Sequence, residues 1–145
     1  MTLTLEAAAT IAKGALAEGA ARGFAPLCVV VLDSGGHPLA LLRDHRASIS
    51  RPEIATGKAA GCLGMGFGGR ELARRAAAMP GFFTALASAF PKGIVPVPGG
   101  VLLRDAAGTL LGAVGVTGDT SDNDEVAALA GIAAAGLIAD TGAEG

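Results

Sequence analysis

Three segments of the 145-residue sequence concentrate side chains able to do chemistry. Arg43, Asp44, His45 and Arg46 form the densest polar cluster, directly after an apolar run, and a strand end of that kind can present side chains to a pocket. Arg43 would offer a planar fork to a carboxylate ligand, or else be a solvated strand end. Lys58 stands on a face made otherwise of Ala and Gly. A desolvated ammonium there could act as base, Schiff-base former or anion anchor, whereas a snorkelling one would simply reach water. Asp119, Asp122, Asp124 and Glu125 crowd one helix start, where the helix dipole favours negative charge. Capping accounts for one or two of them, and the others are available to pair with Arg43 or Lys58.

His37 and His45 are the only two imidazoles and hence the axial candidates for a haem iron, although no C-x-x-C-H attachment motif is present. No G-x-S-x-G elbow presents a serine nucleophile. Gly64, Gly66 and Gly69 satisfy G-x-G-x-x-G, but the preceding segment reads as helix, and position 89 is Ala where a ribose-binding acid would stand. The expectation is a break between two helices. Cys28 and Cys62 read as reduced, buried thiols, and no metal site is expected from their spacing or from the acidic cluster.

These residues need elements to position them. Apolar residues recur at helical spacing from Thr4 to Arg22, with Gly23 as the stop. Leu27 to Leu32, the turn Asp33-Ser-Gly-Gly36, and Pro38 to Arg43 read as a hairpin, and the consecutive apolar residues of its first strand predict cover on both faces. Ser50-Arg-Pro-Glu53 fits a capping box, which also explains Glu53, and predicts a helix to about Leu63. Arg70 to Ala78 and a short segment after Pro80-Gly81 are helical. Val101 to Arg104, a turn at Asp105 to Gly108, and Thr109 to Thr117 read as a second hairpin. Thr120 to Glu125 carries capping signals for a last helix, Val126 to Ala139. Helices and hairpins in this order predict one α+β domain over residues 1–145 with an antiparallel sheet.

Eleven Lys and Arg against 13 Asp and Glu leave a net charge of −2 and no basic run, which argues against nucleic acid. The chain is 51% apolar, but charged residues interrupt every stretch short of the roughly 20 residues a membrane span needs. The first residues lack a basic and then apolar leader, so a cytoplasmic location is expected.

The segments Val31 to Ala40, Arg43-Asp44, Arg51 to Ala59, Pro98-Gly-Gly-Val101 and Gly112 to Glu125 resemble, in order and over nearly the whole chain, the GlcG/HbpS family. That family is also described as haem-degrading-like and is related to the PduO C-terminal domain. The resemblance implies a profilin-like α/β/α arrangement, with a five-stranded antiparallel sheet between helices, and self-association into dimers or higher oligomers. Matching positions carry over Asp33, Arg43, Lys58, Gly99, Gly100, Thr117, Asp124 and Glu125, the glycines in a backbone role that permits close approach of a ligand. Leu102 departs from the proline frequent in the family, and secreted haem-binding members carry export signals that this chain lacks. Without Tyr or Trp, the apolar face for a porphyrin falls to Phe67, Phe82, Phe83 and Phe90.

Three functions follow as expectations. The first is a small-molecule-binding domain for haem or a related tetrapyrrole, whose carboxylates would meet Arg43 or Lys58; no cofactor other than haem is expected. The second is a metal-free lyase or isomerase of a small aromatic or hydroxy acid, with Arg43 clamping the carboxylate while Lys58 or Glu125 moves a proton. The third is an assembly module without a ligand. The sequence does not decide whether the chain is an enzyme.

Overall fold

The computed structural model describes residues 1–143. Thr4 accepts from the Ala7 amide and starts α1 (Leu5–Arg22), which ends where Gly23 enters the left-handed region at φ 71°. β1 (Cys28–Asp33) and β2 (Pro38–Arg43) form the first hairpin. Its turn is held by Asp33 Oδ1, which accepts from the amides of Gly35 and His37, and Gly36 supplies the positive φ of 84°. Asp105 repeats the device between β3 (Gly100–Arg104) and β4 (Leu110–Thr117), accepting from Ala107 and Thr109.

Between the hairpins lie α2 (Arg51–Met65), α3 (Gly69–Ala78) and α4 (Pro80–Leu86). Helix α2 starts as expected but not by the expected cap. Ser50 is already in helical geometry and makes no side-chain cap bond, because the Arg51 amide donates to the Ser48 carbonyl in a preceding turn. The glycine motif falls across two helices: Gly64 lies inside α2, Gly66 ends it at φ 81°, and Gly69 opens α3.

The last segment corrects the sequence reading more sharply. Helix α5 (Ser121–Ala134) begins five residues earlier than expected and stops before Gly136, with a short strand β5 (Ile138–Asp140) where helix was predicted. Gly136 sits at φ 72°, while the Gly136 and Leu137 amides donate back to Ala133 and Ile132, the Schellman arrangement that ends a helix.

The sheet order is β2-β1-β4-β3-β5, with antiparallel neighbours throughout. Alternate residues of β1, β3 and β4 serve two cores. Val29, Val31, Val114 and Val116 pack with Ile11, Ala12 and Ala15 of α1 and Ala128 and Ile132 of α5. Val30, Leu32, Leu102 and Ala113 pack with Ala55, Ala59 and Cys62 of α2, Leu72 of α3 and Phe83 of α4. The α/β/α layering and five-stranded antiparallel sheet therefore stand as expected. Helix α2 lies so close to the sheet that a Cβ at Gly115 would strike the Ala55 carbonyl.

Candidate functional site

Helix α2 carries two regions of interest, one near its middle and one toward its C-terminus. At its middle, Lys58 Nζ lies 3.0 Å from Asp124 Oδ2 and donates to the Val116 carbonyl at 2.9 Å. Both side chains are buried, at 3% and 2% exposure. Asp124 Oδ1 accepts from the Asp119 amide, so both carboxylate oxygens are occupied. Burial pushes the Lys58 pKa down and the Asp124 pKa up, in each case against the attraction of the other charge.

Around this pair the motif residues converge. Arg51 Nη1 donates to Thr117 Oγ1 at 2.8 Å. Arg70 reaches Glu125 Oε1 at 3.0 Å and Asp122 Oδ1 at 2.9 Å. Gly99, at φ 107°, passes over Lys58 so tightly that a Cβ would stand 2.8 Å from Nζ. A Cβ at Gly100 would stand 2.7 Å from the Lys58 carbonyl and 2.8 Å from Cys62 Sγ. The close approach that these glycines permit is thus made by the chain itself. Glu125 is 9% exposed, and its Oε2 is buried without a hydrogen-bond partner.

The other region is an open groove of about 350 Å³ beside the β1–β2 turn. Ala60, Leu63 and Gly64 of α2 form its floor, Phe90 and Pro91 one wall, and Ser34 to Gly36 the other. Lys92 bridges the walls by donating to the Gly36 carbonyl. Gly64 lets the Phe90 ring lie on α2, since a Cβ there would come within 2.8 Å of it. The volume is at the small end of small-molecule sites, and the lining is apolar with a few polar groups at the rim.

Asp33 and His37 flank the turn residues Ser34 to Gly36 that line the groove and do not line it themselves. The Asp33 carboxyl is held below its usual range, first by the hydrogen bond from the His37 amide. The His37 ring is 76% exposed, and its Nδ1 lies 3.5 Å from Asp33 Oδ1. Arg43 and His45 lie at the far end of β2. Arg43 Nη1 donates to the Ala47 carbonyl at 2.8 Å and more weakly to those of Asp44 and His45, which ties the guanidinium to its own loop. His45 is 91% exposed. The six residues of β2 separate the two histidines by roughly 20 Å, so they cannot share one iron within a subunit.

The sequence reading therefore named most of the buried cluster and little of the groove. Arg51 and Arg70 stand in segments read from the sequence only as helix, and Lys92 falls outside every element read there. Its basic charge between Pro91 and Gly93 was the available signal. Of the four Phe expected to face a porphyrin, Phe90 lines the groove; Phe67 instead stacks under Arg75 at 4.0 Å, and Phe82 and Phe83 pack edge to face. Among the described residues no three His, Cys, Asp or Glu gather as a metal site, and no helix is long and apolar enough to cross a membrane. Burial raises the Cys28 and Cys62 thiols to about 11 and about 12, so both stay protonated at neutral pH.

Comparison with known proteins follows the same lines. Residues 3–133 match the family described as haem degrading protein HbpS-like. Among solved structures, the haem complex of PduOC aligns with a TM-score of 0.83 at 23% identity, covering 95% of this chain and 98% of that one. HbpS aligns at 0.77 and 30% identity, over 92% and 89% of the two chains. Protein ORFY of Klebsiella pneumoniae aligns at 0.77 and 26% identity, over 94% and 92%. No curated protein matches the sequence.

Proposed function

We propose that this chain, which belongs to the HbpS-like family of haem-degrading proteins, binds a flat, largely apolar small molecule with an anionic edge, haem or a related tetrapyrrole, in the groove beside the β1–β2 turn. The observation that carries the reading is the groove itself. Leu63, Ala60, Phe90 and Pro91 offer apolar surface to a ring face, and the Lys92 ammonium stands at the rim where a carboxylate would be met. His37 follows Gly36 in sequence and its ring is 76% exposed, which makes it the axial candidate nearest the groove along the chain, although it is not itself one of the lining residues. Haem, when bound, would supply a redox-active iron; Leu63, Phe90 and Pro91 would supply the cleft and Lys92 the counter-charge.

The burial of Lys58 and Asp124 supports a structural role for that pair, and the loop bonds of Arg43 support the same for it. A metal-free lyase or isomerase reading keeps one observation in its favour, the unpartnered Glu125 Oε2 beside the pair. Self-association, which the family resemblance implies, is compatible with the apolar Leu41 exposed on the edge strand β2.

A haemin titration followed at the Soret band tests the proposal. A saturable change at one haem per subunit, lost in His37→Ala and retained in His45→Ala, is expected. A rise without saturation, or a change lost only in His45→Ala, would overturn it.

A further inference from the structure

We infer that the groove is a subsite for one carboxylate-bearing aromatic ring, so that a free one- or two-ring aromatic acid occupies it without any metal and competes there with a tetrapyrrole. The inference rests on the groove reading above and narrows it to the part of the ligand that is held. Volume is its first ground. The groove of about 350 Å³ has room for about a dozen waters at roughly 30 Å³ each, which a one- or two-ring acid fills and a four-pyrrole macrocycle overruns. Its shape suits a flat ring. Gly64 brings no side chain to the floor beside Ala60 and Leu63, and the Phe90 ring, which lies on α2 because of that glycine, offers an aromatic contact.

Charge is the second ground. Among the described residues Lys92 is the only charged side chain lining the groove, and its one hydrogen bond goes to the Gly36 carbonyl on the opposite wall. An ammonium carries three donors, so two N–H groups are left for a ligand oxygen while the third keeps the walls joined. No acid among the described residues neutralises it. Asp33, which flanks that wall, turns Oδ1 to the Gly35 and His37 amides, and Lys92 forms no ion pair there or elsewhere. The Ser34 hydroxyl lines the same groove and makes no hydrogen bond to a described residue. A carboxylate can therefore take up the spare Lys92 donors without breaking a bond of the fold. The apolar floor holds the ring, and the ammonium selects an acid over its uncharged analogue.

The test titrates the full chain with 2-naphthoate and with 2-naphthamide, its uncharged analogue, followed by amide chemical shifts. Saturable shifts at Ser34 to Gly36, Leu63, Gly64, Lys92 and Gly93 are expected, with the acid binding about 2- to 5-fold more tightly than the amide. Lys92→Met keeps the apolar stem and removes the charge, so the two probes are expected to bind it equally. Excess 2-naphthoate is expected to displace zinc protoporphyrin. If zinc protoporphyrin shifts the groove residues and 2-naphthoate shifts none of them, the inference is overturned and the groove reading stands. Equal binding of acid and amide to wild type, or a preference for the acid that survives in Lys92→Met, would overturn the carboxylate subsite alone. Saturable 2-naphthoate shifts in the groove without displacement of bound zinc protoporphyrin would place the tetrapyrrole elsewhere, overturning the groove reading and the shared subsite together.

Discussion

Two regions of α2 use the same helix to opposite ends. Near its middle, Lys58, Asp124, Glu125, Thr117 and the glycines of Pro98-Gly-Gly100 close over one another until no side chain of the ion pair reaches water. Within the next two turns toward its C-terminus, Ala60, Leu63 and Gly64 line a groove. The residues richest in chemical type are those that hold the layers together, and the residues that leave room are chemically plain. A buried charge must be matched where it stands, so it draws its partners inward; a binding surface needs shape first and only a few polar groups.

Removing one member of the buried pair should give the largest effect. Lys58→Met leaves the Asp124 carboxylate buried without its cation, and Asp124→Ala leaves the ammonium. Each is expected to cost about 3–5 kcal/mol, a fall in Tm on the order of 10 °C, measured by thermal or urea unfolding. A loss under about 1 kcal/mol in both would show that the cluster does not brace the fold. The groove should answer differently. Gly64→Ala drives a Cβ toward the Phe90 ring and is expected to weaken haemin binding at least about tenfold, while better helix propensity offsets part of an overpacking cost of about 1–3 kcal/mol. Lys92→Ala is expected to weaken binding by severalfold with unfolding unchanged, as read by the same titration and melt.

The smallest effect is in the pH dependence, and its sign separates the two regions. The Asp124 carboxyl is raised by burial, so the folded state takes up its proton first. Its contribution to stability grows as pH falls from neutrality and is fully present below 3.8. Asp33 is lowered by the amides it accepts from, so its contribution is present above 3.8 and is lost in more acid solution. Unfolding of wild type against Asp124→Asn and Asp33→Asn across this range should show one difference widening and the other vanishing as acid is added.

The legibility of the sequence divides along the same line. Helix α1, both hairpins and the two-sided burial of β1 could be read because Thr4, Gly23, Gly36 and the unbroken Val29-Val-Val31 run each have a local cause. β5 could not, since Leu137-Ile-Ala139 continues an apolar helical pattern and only Gly136 marks the change. In the site, Lys58, Asp124 and Glu125 stood out by type, but their closure depends on Gly99 crossing α2 from a distant segment, which spacing does not encode. The groove was hidden for the opposite reason: Leu63, Gly64 and Pro91 carry no chemical signature, and Lys92 gains meaning only when its segment lies against Gly36.

The central claim is that the ligand enters the groove and leaves the ion pair untouched. Amide chemical-shift mapping with a diamagnetic zinc protoporphyrin tests it most directly. The account predicts shifts at Ser34 to His37, Leu63, Gly64, Phe90, Lys92 and Gly93. Shifts centred on Lys58, Thr117 and Asp124, with the groove silent, would contradict it.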